Sequence, residues 1–163
     1  VVSYDTRLGR GKLNVNLSGN INETKIVDYH FPSALTIAQK EFFGPDQVNI
    51  IESLSPKTKA TLGLNYAISG FNFMVRNTYF GKVTKDGYPW GVVQENSGKV
   101  VTDASIGYDI TKNFNITIGA NNLFDVFPDK QAYENSYYGV FPNAPVQMGM
   151  TGAYYFARAS FKF

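Results

Sequence analysis

The 163-residue chain has no cysteine, one histidine and one tryptophan, and each shortage removes a class of function. Without thiols there is neither a disulfide framework nor a thiolate metal site. His30 stands alone, with no clustered carboxylates for a metal and no Ser-His-acid set supported by spacing. No catalytic residue, metal or cofactor is therefore expected. Gly9-Arg10-Gly11-Lys12 lacks the spacing of a phosphate-binding loop and reads as a turn. The net charge is only +2 and the basic residues are scattered, which gives no footprint for nucleic acid. No run approaches the roughly eighteen apolar residues of a membrane-crossing helix, and residues 1–20 have no basic start followed by an apolar core. A β-barrel escapes that test, because its strands need be apolar only at alternate positions.

What the chain has in plenty is thirteen Phe, eleven Tyr and fifteen Gly, the material of strands and turns. The expected fold class is all-β. Strict alternation then marks the strands. Ala60, Leu62, Leu64, Tyr66 and Ile68 share one face, with Thr61, Gly63, Asn65 and Ala67 opposite. After the two-residue turn Ser69-Gly70, Phe71, Phe73 and Val75 continue the apolar face, and Asn72, Met74, Arg76 and Thr78 the polar one. A second hairpin repeats the design: Thr102, Ala104, Ile106, Tyr108 and Ile110 before Lys112-Asn113, then Phe114, Ile116, Ile118 and Ala120. Leu13, Val15, Leu17, Gly19 and Ile21 alternate likewise after a turn at Gly9 to Lys12. The last segment sets Tyr155, Ala157, Ala159, Phe161 and Phe163 against Tyr154, Phe156, Arg158, Ser160 and Lys162.

Connections alternate between tight (9–12, 69–70, 111–113) and long (28–56, 86–98, 124–148). Such segregation fits an outer-membrane barrel, with short periplasmic turns and long outer loops, better than a soluble sandwich. Gly, Ser, Thr and Asn on one face cannot fill a dry core, so that face meets water or protein and the apolar face meets lipid. If the short turns are periplasmic, Tyr66, Phe71, Phe73, Tyr108, Phe114, Phe161 and Phe163 form an aromatic girdle at that interface. About seven strands are counted, an odd number for a single-chain bacterial barrel. The chain also opens in mid-strand at Val1-Val2-Ser3-Tyr4, so a fragment of a barrel is expected.

The segment Gly119 to Asp125, GANNLFD, followed by Phe127-Pro128, resembles the penultimate strand and loop of TonB-dependent outer-membrane receptors. The ending YYFARASFKF resembles their last strand. Together these motifs cover about residues 119–130 and 151–163; elsewhere only the alternation pattern is shared. The resemblance implies an antiparallel transmembrane β-barrel of about 22 strands closed by an N-terminal plug domain, localised to the outer membrane of a Gram-negative bacterium. It also implies uptake of a scarce nutrient, most often an iron-siderophore complex, with energy relayed by the TonB complex through an N-terminal region. Residues 1–163 are then expected to be the C-terminal part of the β-barrel domain, with plug, TonB-contacting segment and earlier strands outside them. The implied partners are the lipid bilayer, the plug, the TonB complex, the barrel assembly machinery and a small-molecule ligand.

Residue by residue, Tyr155, Phe161 and the terminal Phe163 resemble the signal read by the assembly machinery. Tyr88, Trp90, Tyr137 and Tyr138 are the candidate ligand-binding rings in the long loops; such rings stack on chelates and sugars, and they also anchor loops to one another. Arg76 and Arg158 are expected to face the interior, Arg76 opposite Gly63, with the plug a better partner than the substrate. Asp125 is expected to fix the strand exit through its carboxylate. Leu35, Ala38 and Phe42 give helical spacing over Pro32 to Gly44, with Gly44 as the end. Two rival architectures remain: a small self-contained outer-membrane barrel with a structural or adhesive role, and a soluble β-sandwich binding module.

Overall fold

A computed structural model describes residues 1–30, 43–87 and 91–163. Seven strands form one antiparallel sheet in the order β1 (Val2–Leu8), β2 (Gly11–Ile21), β3 (Thr58–Ile68), β4 (Phe71–Phe80), β7 (Lys99–Thr111), β8 (Phe114–Asn121) and β9 (Tyr154–Phe161). A separate ribbon pairs β5 (Val83–Lys85) with β6 (Gln94–Asn96), and among the described residues one α-helix, α1, spans Pro45–Glu52. Apart from that ribbon interrupting the numbering, every neighbour in the main sheet is the next strand of the chain. This meander is the topology that tight turns at one end and long loops at the other impose.

Register settles which residues share a face. One cross-strand row reads Tyr4, Val15, Leu64, Val75, Ala104, Ala120, Tyr155, and the next reads Thr6, Leu13, Tyr66, Phe73, Ile106, Ile118, Ala157. On the other face a row reads Asp5, Asn14, Asn65, Met74, Ser105, Gly119, Phe156. The alternation therefore stays in phase across all seven strands, as a one-residue slip anywhere would invert it. Ile110 is the exception. The register shifts between Asp109 and Thr111, so that Thr111 rather than Ile110 pairs with Phe114 and the turn keeps two residues.

Among the described residues no second layer covers either face. The buried hydrophobic residues are Val83, Ala120 and Ala144 alone among the described residues, while Leu62, Phe71, Val75, Ile116 and Ile118 are exposed. The chain leaves 11574 Å² accessible, against about 8,100 Å² for a compact monomer of its mass. A sandwich would need a facing sheet, which the three-residue strands of β5 and β6 do not supply. The sheet is open, with β1 and β9 at its edges, as part of a larger closed barrel would be.

At the short-turn end the aromatic rings meet as the alternation predicts. Tyr66 and Phe73 lie 6.3 Å apart, Phe71 and Tyr108 4.5 Å, Phe114 and Phe161 6.4 Å, and Phe161 and Phe163 5.4 Å. The helix expected over Pro32 to Gly44 lies outside the described residues as far as position 42, and Gly44 is the N-cap that opens α1. Its N–H donates to Gln47 Oε1 at 2.8 Å, with Pro45 and Asp46 in the first turn.

Candidate functional site

The long loops gather at one end of the sheet, and the wall beneath them is braced from the polar face. Arg76 lies across from Gly63 on one side and Asp103 on the other. Its Nε and Nη2 both donate to Asp103 Oδ2, at 3.0 and 2.7 Å. The second carboxylate oxygen of Asp103 accepts the Asn122 N–H at 2.9 Å. Asp103 is buried, so its desolvation is offset by three charge-assisted hydrogen bonds. The Arg76 side chain is 52% exposed, which leaves the pair only half screened from solvent.

Asn122 then shapes the exit of β8. It adopts a left-handed backbone with φ 51°, which Asn tolerates better than most residues. Its side chain bridges Val126 twice, Nδ2 donating to the carbonyl at 2.8 Å and Oδ1 accepting the N–H at 2.9 Å. Asp125, at φ 54°, accepts the Ala153 N–H at 2.7 Å. A β-carbon on Gly152 would collide with Asp125 Oδ1 and the Phe127 ring. The NNLFD segment is thus a clasp that joins the exit of β8 to the entry of β9, in the role expected of Asp125.

Above the clasp, polar side chains staple loop to loop. Asp129 accepts the Ser97 N–H at 2.6 Å and hydroxyl at 2.5 Å through Oδ2, and Lys99 Nζ at 2.7 Å through Oδ1. Those bonds, Lys99 first and Ser97 next, hold its carboxyl down at about 2 from an ordinary 3.8. Gln94 donates to the Lys130 carbonyl at 2.8 Å and accepts the Ala132 N–H at 2.9 Å. Asn135 closes a two-way bridge to the Val92 backbone, at 2.9 and 2.7 Å. Lys85 donates to Gln131 at 2.8 Å, and burial lowers its pKa. Asn49 of α1 accepts the Asp86 N–H at 2.9 Å.

The tip of the last loop displays aromatic rings. A short 3-10 turn over Tyr133–Asn135 leads to Ser136, whose buried hydroxyl donates to the Tyr133 carbonyl and accepts the Gly139 N–H, both at 2.7 Å. Tyr137 and Tyr138 follow with φ 52° and 58°. Left-handed backbone costs such residues about 1–2 kcal/mol each. Both residues are nonetheless largely exposed, at 70% and 79%, and their rings meet edge to face at 5.9 Å.

Of the other sequence-predicted residues, Tyr88 and Trp90 lie outside the described residues. Arg158 lies on the polar face, its guanidinium 5.9 Å from the Phe156 ring centroid. Tyr155 and Phe161 lie on the apolar face, and Phe163 stands just past β9. Sequence reasoning missed Asp103, Asn122, Gln94, Asp129 and Asn135. Asp103 was visible there only as an acid in a polar alternation, without its pairing to Arg76. Among the described residues no group of His and carboxylates could hold a metal ion.

Comparison with known proteins gives three findings. A family model described as "TonB dependent receptor-like, beta-barrel" matches residues 4–123, about three-quarters of the chain. No curated protein matches. Among solved structures, a variant of the ferric enterobactin receptor (PfeA) of Pseudomonas aeruginosa is similar over 97% of this chain, at 16% identity and a TM-score of 0.55. A further variant of that receptor, in complex with enterobactin, is similar at 15% identity, 97% coverage and a TM-score of 0.55. The chain spans 21% of the length of each. At such identity the likeness shows the fold.

Proposed function

The chain belongs to the TonB-dependent receptor β-barrel family, and from that premise we propose that it forms the C-terminal wall of an outer-membrane receptor that takes up a scarce nutrient. The carrying observation is the seven-stranded open sheet whose apolar residues stay in phase on one uncovered face. In this reading that face meets lipid, and the face bearing Asn14, Asn65, Arg76 and Arg158 lines the lumen and faces a plug. The two-residue turns lie in the periplasm and the stapled loops outside the cell.

Tyr137 and Tyr138 are the ligand-facing rings, joined there by Tyr88 and Trp90. An iron chelate is the substrate class, supported by the solved receptors of like fold, which are named for a ferric siderophore. Transport draws on energy relayed by TonB to the plug, while this wall holds the vestibule open and steady. Tyr155, Phe161 and Phe163 serve as the insertion signal for the barrel assembly machinery.

The experiment is uptake of a radiolabelled ferric chelate by cells that carry the complete receptor. Uptake should require TonB, and replacing both Tyr137 and Tyr138 by Ala should raise the half-saturating concentration about tenfold or more, given roughly 1 kcal/mol for each stacking ring removed. Accumulation that is indifferent to TonB, or no accumulation of iron, would overturn the reading.

A further inference from the structure

Charge is distributed unequally between the two ends of the sheet. The loop end carries seven described cations against nine carboxylates, and Lys25, Lys57, Lys82 and Lys99 there are all in ion pairs. The short-turn end carries five cations, Arg7, Arg10, Lys12, Lys112 and Lys162, against Asp5 and Asp109. Both of those acids accept a side-chain amide instead, from Asn14 and from Asn115 at 2.8 Å. None of the five cations has an ion-pair partner among the described residues, and all five are exposed.

Two of them occupy turn tips beside the aromatic girdle. Arg10 sits in the turn closed by Leu8 and Gly11, where the Tyr66 ring covers Gly11 and its hydroxyl donates to the Leu8 carbonyl at 2.9 Å. Lys112 sits two residues before Phe114, whose ring meets Phe161. Amphipathic rings settle at the level of lipid headgroups, and a long basic side chain one step beyond them reaches the phosphates. The two tips are separated by about four strand spacings, roughly 19 Å. That is too far for one small anion and suits a continuous layer. Two-residue turns also build no pocket for a folded partner.

We propose that Arg10 and Lys112 dock the short-turn rim onto anionic phospholipid headgroups of the leaflet at that end, selecting acidic lipids over zwitterionic ones. The proposal rests on the membrane-spanning reading above. Arg7 and Lys12 pair opposite each other with their side chains starting on the polar face, so they take no part in this docking.

The test is native mass spectrometry of the complete receptor released from bilayers that mix phosphatidylglycerol with phosphatidylethanolamine, after a gel-shift check that each variant is folded. Wild type should retain phosphatidylglycerol in excess of its share. Replacing Arg10 and Lys112 by Gln should cut that preference about twenty-fivefold, since each surface cation contributes about a factor of five. The R7Q/K12Q variant should keep it. Equal retention of the two lipids by inserted wild type, or loss of preference only in R7Q/K12Q, would overturn the proposal and leave the barrel reading intact. Failure of wild type to insert at all would overturn both.

Discussion

At the short-turn end of the sheet every connection is two residues long, and the ring pairs there follow from strand register alone. At the loop end the loop-to-loop staples join residues 30 to 46 positions apart through side chains bonded to backbone or to one another. The difference concerns cooperativity. A hairpin tip can fail by itself, because its neighbours hold their own register. The loop cluster cannot, because Asp103, Asp129 and Gln94 each tie together segments distant in sequence.

The sharpest way to break that comparison is Asp103→Ala. It would strip Arg76 of its carboxylate and the Asn122 N–H of its acceptor, at a cost of about 2–3 kcal/mol for a half-exposed pair. Denaturant unfolding of the folded receptor should show this destabilisation, and proteolysis should reach the 124–150 loop. Intact loops in the variant would mean that the wall does not brace them. Gly70→Val comes next, about 1–2 kcal/mol, since φ is +84° and a side chain there would be strained. Its effect should stop at the β3–β4 hairpin, and exposure of the distant loops would contradict the claim that this end is local.

Asp129→Asn is the smallest, about 1 kcal/mol after discount for partial exposure. The sign follows from its lowered carboxyl: the stabilisation is complete above about pH 4, where an unfolded Asp is ionised, and is lost as pH falls through about 2. Proteolysis of the loops across acid pH should therefore show weakening in wild type but a flat profile in the Asn variant. Parallel profiles would exclude Asp129 as the titrating clasp.

The same division decides what could be read from sequence. Leu64, Val75 and Ala104 follow a period of two with one obvious facing direction, and tight turns fix how the strands meet, so sheet, faces and girdle were legible. The Arg76 position opposite Gly63 was legible because Ser69-Gly70 sets that hairpin. Its partner Asp103 was not, because β4 and β7 are separated by a loop whose own ribbon, β5–β6, is too short to leave a pattern. Gln94 and Asn135 carry no signal at all, since amide side chains that bond distant backbone look like any polar loop residue. Tyr137 and Tyr138 were visible as an aromatic pair, but their left-handed backbone was not, because it depends on Ser136 folding its hydroxyl back onto Tyr133 and Gly139.

The central claim is that the uncovered apolar face is a lipid face. Because the chain has no cysteine, single cysteines can be placed in the complete receptor at Val75 and Ile118 on that face and at Asn65 and Asn72 on the other. All four residues are exposed in the sheet itself. In native outer membranes the account predicts that a water-soluble maleimide labels positions 65 and 72 and spares 75 and 118, where a fluorophore attached before reconstitution would be quenched by brominated lipid. Equal labelling at all four, or protection of the polar pair alone, would contradict it.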